Sequence, residues 1–179
     1  KNCISIMENC ILCQIVNGRL PSKKVYEDDD VMAVLDINGS NLGHTFVMPK
    51  HHYTILEHVP NKIIGMIFNT SNKISKALFE AISIQGTNIF VTNGVIAGQM
   101  VAHFMVNVIP RKENDAINLL WKPKQLTEEE LSTIELQLKD AIAHVPEEEN
   151  KKIKKESVIP SLIKVTGKES YITKQIRRI

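Results

Sequence analysis

Residues 97–111 read Ala-Gly-Gln-Met-Val-Ala-His-Phe-Met-Val-Asn-Val-Ile-Pro-Arg. Valine, isoleucine and phenylalanine dominate the second half of this segment, which predicts a strand at 102–109 after a glycine-containing loop at 93–100. Because side chains alternate across a strand, positions 103, 105 and 107 share one face. That face carries the imidazole of His103, the thioether of Met105 and the carboxamide of Asn107.

Apolar runs upstream of this strand complete a sheet. Residues 25–27 and 31–35 predict a hairpin around an Asp-rich turn at 28–30. Residues 44–48 predict a third strand that Pro49 ends, and residues 87–92 predict a fourth. Between them, residues 60–82 predict an amphipathic helix. Its apolar stripe consists of Ile63, Ile67, Ile74, Leu78 and Ala81.

A second helix is predicted after residue 127. Thr127 and Glu130 have the spacing of a capping box, and Pro146 ends the pattern. We expect its buried side to contain Leu131, Ile134, Leu138, Ile142 and Val145. The element order β-β-β-α-β-β-α predicts an α+β domain, an antiparallel sheet with helices on one side. We place this domain at 8–146 and a C-terminal extension at 147–179.

The charge distribution is uneven. The chain has 22 Lys plus Arg and 20 Asp plus Glu, a formal net charge of +2. Residues 151–179 contain nine basic and two acidic residues, whereas residues 1–150 have a net charge of −5. The basic extension is therefore predicted to bind nucleic acid or an acidic protein partner. A solvated tail, or a tail folded back on the acidic body, remains the alternative.

Hydropathy and cysteine content indicate where in the cell the protein is expected. The sequence lacks the run of about 18 apolar residues that a transmembrane helix needs, so no membrane partner is expected. The first seven residues are too short and polar for a signal peptide. All three cysteines lie within the first 13 residues, which does not suit a disulfide-stapled secreted domain. We expect a reducing, cytoplasmic location.

Cys10 and Cys13 form a C-x-x-C pair. Two thiolates at this spacing can hold one zinc ion from a single turn and leave two tetrahedral positions for other residues. Histidines are the natural completing ligands, and the chain has six. Two ordinary buried cysteines remain an alternative. A thioredoxin-like redox pair is disfavoured, because no strand and long helix flank the motif.

The segment 97–111 resembles the signature of the histidine-triad (HIT) family, in which a Gly-Gln turn leads into a strand with His at all three positions 103, 105 and 107. Residues 9–13, 18–21, 25–28, 35–37, 43–50 and 93–94, together with His52, match other family motifs in the correct order. The resemblance covers about 8–145. It implies a five-stranded antiparallel sheet with one long helix packed on it, and a homodimer.

The resemblance also implies a structural zinc site. In the family branch with this C-x-x-C pair, the metal is held by both cysteines, the histidine after the third strand and the first histidine of the triad. These positions are Cys10, Cys13, His52 and His103 here. His51 is the alternative for the third ligand.

The triad itself departs from the family pattern. In family members the second histidine attacks the α-phosphate of a nucleotide and forms a covalent intermediate, but this position is Met105 here. A thioether is a poor nucleophile towards phosphorus, and loss of a nucleophile costs about 10⁶ in kcat in a well-studied hydrolase. Asn107 and Met100 replace two further polar family residues. We therefore expect hydrolase chemistry to be lost or nearly so, since a rearranged site would need a new nucleophile.

The nucleotide pocket is less altered. The resemblance places Asp36 on the ribose hydroxyls, and Asn93 and Gln99 near the phosphate. The residues that would sandwich the base are Leu12, Ile15, Val34 and Ile37. Ordinary core and turn positions are the alternative for each, but AMP or another purine nucleotide remains an expected ligand.

Three functions follow from these observations. The first is a degenerate histidine-triad protein with structural zinc that acts as a nucleotide-binding or protein-interaction module. The second is an active nucleotide hydrolase or nucleotidyl transferase. The third is a factor associated with nucleic acid or ribonucleoprotein that acts through residues 151–179.

Overall fold

The computed structural model describes residues 9–145. By its contacts the described part of the chain divides into two compact units, 9–117 and 118–145. The extension expected at 147–179, with its basic clusters, lies outside the described residues. The domain boundary expected near residue 146 therefore stays a prediction.

Over its described residues, the first unit contains a sheet and two α-helices. Helix α1 spans Ile11–Val16, and helix α2 spans Asn61–Ile82. The strands are β1 at Lys24–Glu27, β2 at Val31–Leu35, β3 at Thr45–Pro49, β4 at Gly86–Phe90 and β5 at Val106–Arg111. They form one five-stranded sheet in the order β1-β2-β3-β5-β4, and every neighbouring pair is antiparallel. The α+β prediction is thus confirmed.

The sheet buries both of its faces. Val47 and Val106 belong to a cluster that includes Ile67 and Ile74 of α2. Met32, Val34 and Met48 alternate with the residues of that cluster and pack with Leu12 of α1 and both cysteines of the C-x-x-C pair. The first cluster is ordinary core. The second surrounds the residues that the sequence singles out for chemistry.

Helix α2 follows its predicted bounds to within one residue. Ile67 and Ile74 are buried as expected, but Ala81 is exposed. Ser71 and Ser75 are also buried on the stripe. The Ser71 hydroxyl donates to the carbonyl of Ile67, and the Ser75 hydroxyl lies 2.9 Å from that of Thr87. Apolar periodicity misses such polar core residues because their hydrogen bonds remove the cost of burial.

Strand β5 begins at Val106, four residues later than predicted. The Phe104 amide donates to the carbonyl of Tyr53, in the loop after β3, so residue 104 bonds to this loop instead of to a neighbouring strand. The alternation of side chains nevertheless persists. Phe104 and Val106 lie in the cluster with α2, and Met105 packs against the α1 cluster.

The second unit is described over residues 118–145 and contains helix α3, Glu128–Ala143. The predicted capping box is present, since Thr127 and Glu130 bond reciprocally. The predicted buried side is wrong: Leu131, Ile134, Leu138, Ile142 and Val145 are 49–68% exposed. Periodicity identifies an apolar side but not what covers it. Within residues 9–145, no helix has the length and apolar character needed to cross a membrane.

Candidate functional site

Four side chains from three parts of the chain converge beneath α1. They are Cys10, Cys13, His52 and His103, and one ligand atom from each lies within 4.8 Å of all the others. Cys10 is the N-cap of α1, and Cys13 lies within that helix. His52 follows β3, and His103 precedes β5. Both cysteines and His103 are buried, whereas His52 is partly exposed.

The distances in this cluster fit a tetrahedral ion. The Nδ1 atom of His103 lies 3.6 Å from Cys10 Sγ and 3.5 Å from Cys13 Sγ, and His52 Nδ1 lies 3.2 Å from Cys13 Sγ. Zinc–sulfur and zinc–nitrogen bonds of ordinary length, at tetrahedral angles, separate sulfur and nitrogen by about 3.6 Å. The donor set therefore matches zinc in both atom type and spacing.

The protonation of these groups also suits a metal. Burial raises the pKa of the Cys13 thiol to about 12, and the neighbouring Cys10 adds to this. Burial lowers the pKa of His103 to about 4, so its imidazole is neutral at pH 7. Neutral imidazole is the form that binds metals. The Cys13 thiol, by contrast, needs a nearby cation to become a thiolate.

The structure distinguishes between His51 and His52, the two histidines that the sequence left as alternatives for the third zinc ligand. His52 lies in the cluster, with its pKa lowered by burial. His51 is exposed, and its ring stacks at a tilt on Tyr53 with centroids 4.8 Å apart. Of this pair, only His52 faces the cysteines.

The two altered triad positions follow His103, one directly before β5 and one within it. Met105 is partly buried against the cluster around Leu12. Asn107 is buried, and its Oδ1 atom lies 3.2 Å from the Nε2 atom of His44. The third altered position, Met100, is 93% exposed on the preceding loop.

His44 is a buried polar residue beside the altered triad that the sequence reasoning did not single out. It is buried at the start of β3, whose Phe46 pairs with Asn107 of β5. Its Nδ1 atom accepts from the Ser40 amide at 3.2 Å and lies 3.4 Å from the carboxylate of Asp36. The family-like motif at residues 43–50 includes this histidine. Because β3 neighbours β5 in the sheet, a histidine next to β3 can face the triad positions.

The predicted base-binding residues lie around α1 and the end of β2. Leu12 and Val34 are buried, and Ile15 is partly buried against them. Ile37 is 88% exposed, so it packs against nothing in the described protein. The first three form a continuous apolar patch. Their role in binding a nucleotide stays a prediction.

Asn93 and Gln99 hold a loop together. The Asn93 carboxamide accepts from the Leu56 amide and donates to the carboxylate of Glu57. Gln99 accepts from the Gly94 amide and donates to the carbonyls of Thr54 and Val101. Both carboxamides therefore serve the protein's own structure, and phosphate contact by either one stays a prediction.

Comparison with known proteins assigns the family. A HIT domain model matches residues 17–114. The chain belongs to the HIT family. An adenylylsulfatase of Arabidopsis thaliana is 35% identical over 122 residues, which are 68% of this chain and 60% of that HIT relative.

Solved HIT structures share the fold. A HIT family protein from Bacillus anthracis has a TM-score of 0.70 and 38% identity, covering 75% of this chain and 97% of its own. A zinc-bound histidine-triad protein from Mycobacterium smegmatis has a TM-score of 0.60 and 31% identity, covering 75% and 99%. The predicted fold is thereby confirmed, and zinc is present in a structural relative.

Proposed function

We propose that this HIT protein binds a purine nucleotide, carries one structural zinc ion and has lost hydrolysis through the family's triad nucleophile. The observation that carries the proposal is Met105. Its thioether occupies the middle of the triad face and packs into an apolar cluster, with no proton to exchange. Its neighbour on that face, Asn107, is held by His44.

A structural role for zinc is supported by the four protein ligands around the site. Four protein ligands complete a tetrahedral shell, whereas catalytic zinc keeps an open position for water or substrate. Three of the four ligands are buried. The ion would connect α1 to the segment after β3, where His52 lies 39 residues from Cys13, and to the segment before β5, where His103 lies 90 residues from Cys13. Its chemistry there is to hold two thiolates and two imidazoles.

The nucleotide is assigned to the α1 side of the sheet. Leu12 and Val34 belong to one apolar cluster against which Ile15 packs, and Asp36 directly follows β2, the strand that contains Val34. One oxygen of Asp36 accepts from the Asn38 amide, which leaves lone pairs for ribose hydroxyls. The adenylylsulfatase relative supports an adenylyl ligand.

A homodimer belongs to the same proposal. Among the described residues β4 is an outer strand of the sheet, and an unpaired edge is a ready site for a second copy. Ile89 of β4 and Phe68 of α2 are exposed on this unit. Sedimentation equilibrium of the full chain should give twice the monomer mass, and a monomer at micromolar concentration would contradict this part.

Calorimetry with AMP tests the nucleotide site. Wild type should bind, and Asp36→Ala should bind at least about tenfold more weakly, since a hydrogen bond to a charged group contributes about 1.5–3 kcal/mol. Asp29→Ala, an exposed acidic residue in the β1–β2 turn, is the matched control. Hydrolysis of adenosine 5′-phosphoramidate by wild type should stay at the buffer rate. Turnover like that of an intact triad enzyme would refute the proposed loss of activity.

A further inference from the structure

The loop between β2 and β3 closes on the imidazole of His44. Backbone bonds join its two ends, since the Asp36 amide donates to the carbonyl of His44 and the His44 amide donates to that of Asn41. In the middle of the loop, the Ser40 amide donates to His44 Nδ1 at 3.2 Å. A Cβ atom at Gly39 would lie 2.8 Å from the Cβ of His44, so glycine lets the backbone pass this close to the ring. The loop is therefore shaped around this imidazole.

The Nδ1 atom of His44 has both a hydrogen-bond donor and an acceptor as neighbours. The donor is the Ser40 amide, and the acceptor is the Oδ2 atom of Asp36, which lies 3.4 Å away. The lone pair of a neutral ring bonds the amide, whereas the Nδ1–H of a protonated ring bonds the carboxylate. Since one nitrogen carries either a lone pair or a proton, the charge of the ring decides which of the two neighbours it bonds.

The other ring nitrogen keeps its partner in both charge states. His44 Nε2 lies 3.2 Å from Asn107 Oδ1. Because Nδ1 accepts from Ser40 in the neutral ring, Nε2 carries the proton and donates to Asn107. A protonated ring has a proton on Nε2 as well, so the same bond persists. This bond anchors the ring to β5 while Nδ1 changes its partner.

Asp36 is the ionisable group in contact with the ring, and both side chains are largely buried, at 8% exposure for His44 and 15% for Asp36. Protonation turns their contact into an ion pair that solvent screens little. Neutral side chains from the other elements complete the surroundings: Asn107 of β5, Ser40 of the loop, Phe46 of β3, and Leu78 and Ile82 of α2 beside the loop at Gly43.

We propose that His44 makes the nucleotide site sensitive to pH. Protonation of its ring releases the Ser40 amide and engages the Asp36 carboxylate, which loosens the loop and weakens binding of a nucleoside. This inference rests on the proposed function, because Asp36 is there proposed to bind the ribose hydroxyls. The site then binds at neutral and alkaline pH and loses affinity on acidification.

The two carboxylate oxygens of Asp36 explain the effect on binding. Oδ1 accepts from the Asn38 amide at 2.9 Å, and Oδ2 faces His44. Beside a neutral ring, Oδ2 offers its lone pairs to a ribose hydroxyl, whereas a protonated ring takes one of them. Histidine side chains ordinarily change charge between about pH 5 and 8, where aspartates stay ionised. The affinity therefore responds to the ring in this range.

Hydrogen exchange and NMR on the full, zinc-loaded chain test the loop between pH 8 and pH 6. The protection factor of the Ser40 amide, which corrects for the intrinsic effect of pH on exchange, should fall by about three- to tenfold, the effect of losing one hydrogen bond. The ¹⁵N shifts of His44 should change from those of the Nε2–H tautomer to those of a protonated ring. Zinc content is measured at each pH, so that loss of the metal is not mistaken for this change.

Calorimetry with adenosine tests the site itself. Adenosine contains the ribose without a phosphate, so its charge stays constant in this range, whereas a phosphate monoester titrates near about pH 6. Its Kd for wild type should rise by about three- to tenfold from pH 8 to pH 6. His44→Gln has no imidazole to protonate, so its Kd should not change with pH. His144→Gln, at an exposed histidine after α3, is the matched control and should follow wild type.

Asp36→Asn provides a second test if His44→Gln does not fold. It keeps the size of the side chain without the charge, so the protection of the Ser40 amide should not change between pH 8 and pH 6. Asp29→Asn, at an exposed aspartate, should respond like wild type. A wild-type pH response in Asp36→Asn or His44→Gln would overturn the inference.

The wild-type results separate this inference from the proposed function. Adenosine binding with a constant Kd, or a Ser40 amide whose protection does not change, would overturn the inference and leave the proposed function intact. Absence of adenosine binding at pH 8 would contradict the proposed nucleotide site and the inference together.

Discussion

The Nε2 atom of His103 lies 3.0 Å from the carbonyl oxygen of Pro49, the last residue of β3. The ring therefore donates its Nε2 proton to the backbone and presents Nδ1 to both cysteine thiols. A ligand imidazole whose second nitrogen is held in this way is fixed in tautomer and orientation. The sheet thus holds the His103 ring in the orientation that a metal ion at this cluster would need.

Loss of one thiol should remove the ion. Cys13→Ala leaves three ligands and opens a nearly closed shell, so we expect no bound zinc and a clear fall in Tm. Wild type should contain one zinc per chain by elemental analysis. Cys3→Ala, at a cysteine outside the described residues, is the control and should retain the ion. One zinc per chain in Cys13→Ala would refute the ligand set.

Gly43 should tolerate alanine less well than Gly18. Both have positive φ, 94° and 72°, which costs about 1–2 kcal/mol for an L-residue. At Gly43 a Cβ would also lie 2.8 Å from Leu78 of α2, whereas nothing lies within 4 Å at Gly18. Urea denaturation should show Gly43→Ala as the more destabilised variant. If both variants lose the same free energy of unfolding, the β2–β3 loop moves away from α2 without an energetic cost.

Asp115 should make stability depend on pH. Arg111 donates to both of its carboxylate oxygens and, with backbone amides, holds the pKa of this carboxyl well below its usual range. Folding then favours the ionised form, so this contribution is present above about pH 4 and is lost as the pH falls towards the lowered pKa. Asp115→Asn should therefore lower Tm at neutral pH.

The difference in Tm between wild type and Asp115→Asn should narrow on acidification. Asp29→Asn, at an exposed aspartate, is the control and should follow wild type throughout. A constant difference across the pH range would show that the amide loses packing or hydrogen bonds and that ionisation is not the cause.

Gln99 should be required for the shape of the 93–100 loop. Its amide group donates to two carbonyls, at 2.7 and 2.9 Å. Gln99→Glu places a carboxylate oxygen, which can only accept, against both carbonyl oxygens. We therefore expect the free energy of unfolding to fall by about 1–3 kcal/mol and amide hydrogen exchange in the loop to become faster. Gln125→Glu, at an exposed glutamine, should be neutral. Unchanged exchange in Gln99→Glu would show that backbone bonds alone hold the loop.

The sequence predicted the sheet well because its signals are local. The Asp-rich turn is an example: Asp28 accepts from the amides of Asp30 and Val31, as a turn carboxylate should. The start of β5 was wrong because the Phe104–Tyr53 bond joins segments far apart in sequence. The exposed side of α3 was missed because periodicity does not identify a partner.

The candidate site likewise contains residues that could be predicted from the sequence and contacts that could not. The grouping of Cys10, Cys13, His52 and His103 could be anticipated because a family resemblance aligned them, and spacing alone would have left the set open. The contact between His44 and Ser40 could not be anticipated, since it depends on the close approach of the backbone at Gly39. The register that sets Phe46 against Asn107 is likewise visible only in the folded sheet.

Met105→His should restore part of the hydrolysis that the family carries out. Restoring a nucleophile would raise kcat by about 10⁶, and the acid–base catalysis that Asn107 does not supply reduces this gain by up to about 10⁴. We therefore expect kcat for adenosine 5′-phosphoramidate to rise by at least about 10² over wild type. Met105→Leu, which keeps the apolar packing without a nucleophile, should show no gain. Zinc content and AMP affinity should match wild type in both variants. If Met105→His binds AMP yet gains nothing, the face of β5 no longer directs position 105 at phosphorus, and Met105 is not what disables the triad.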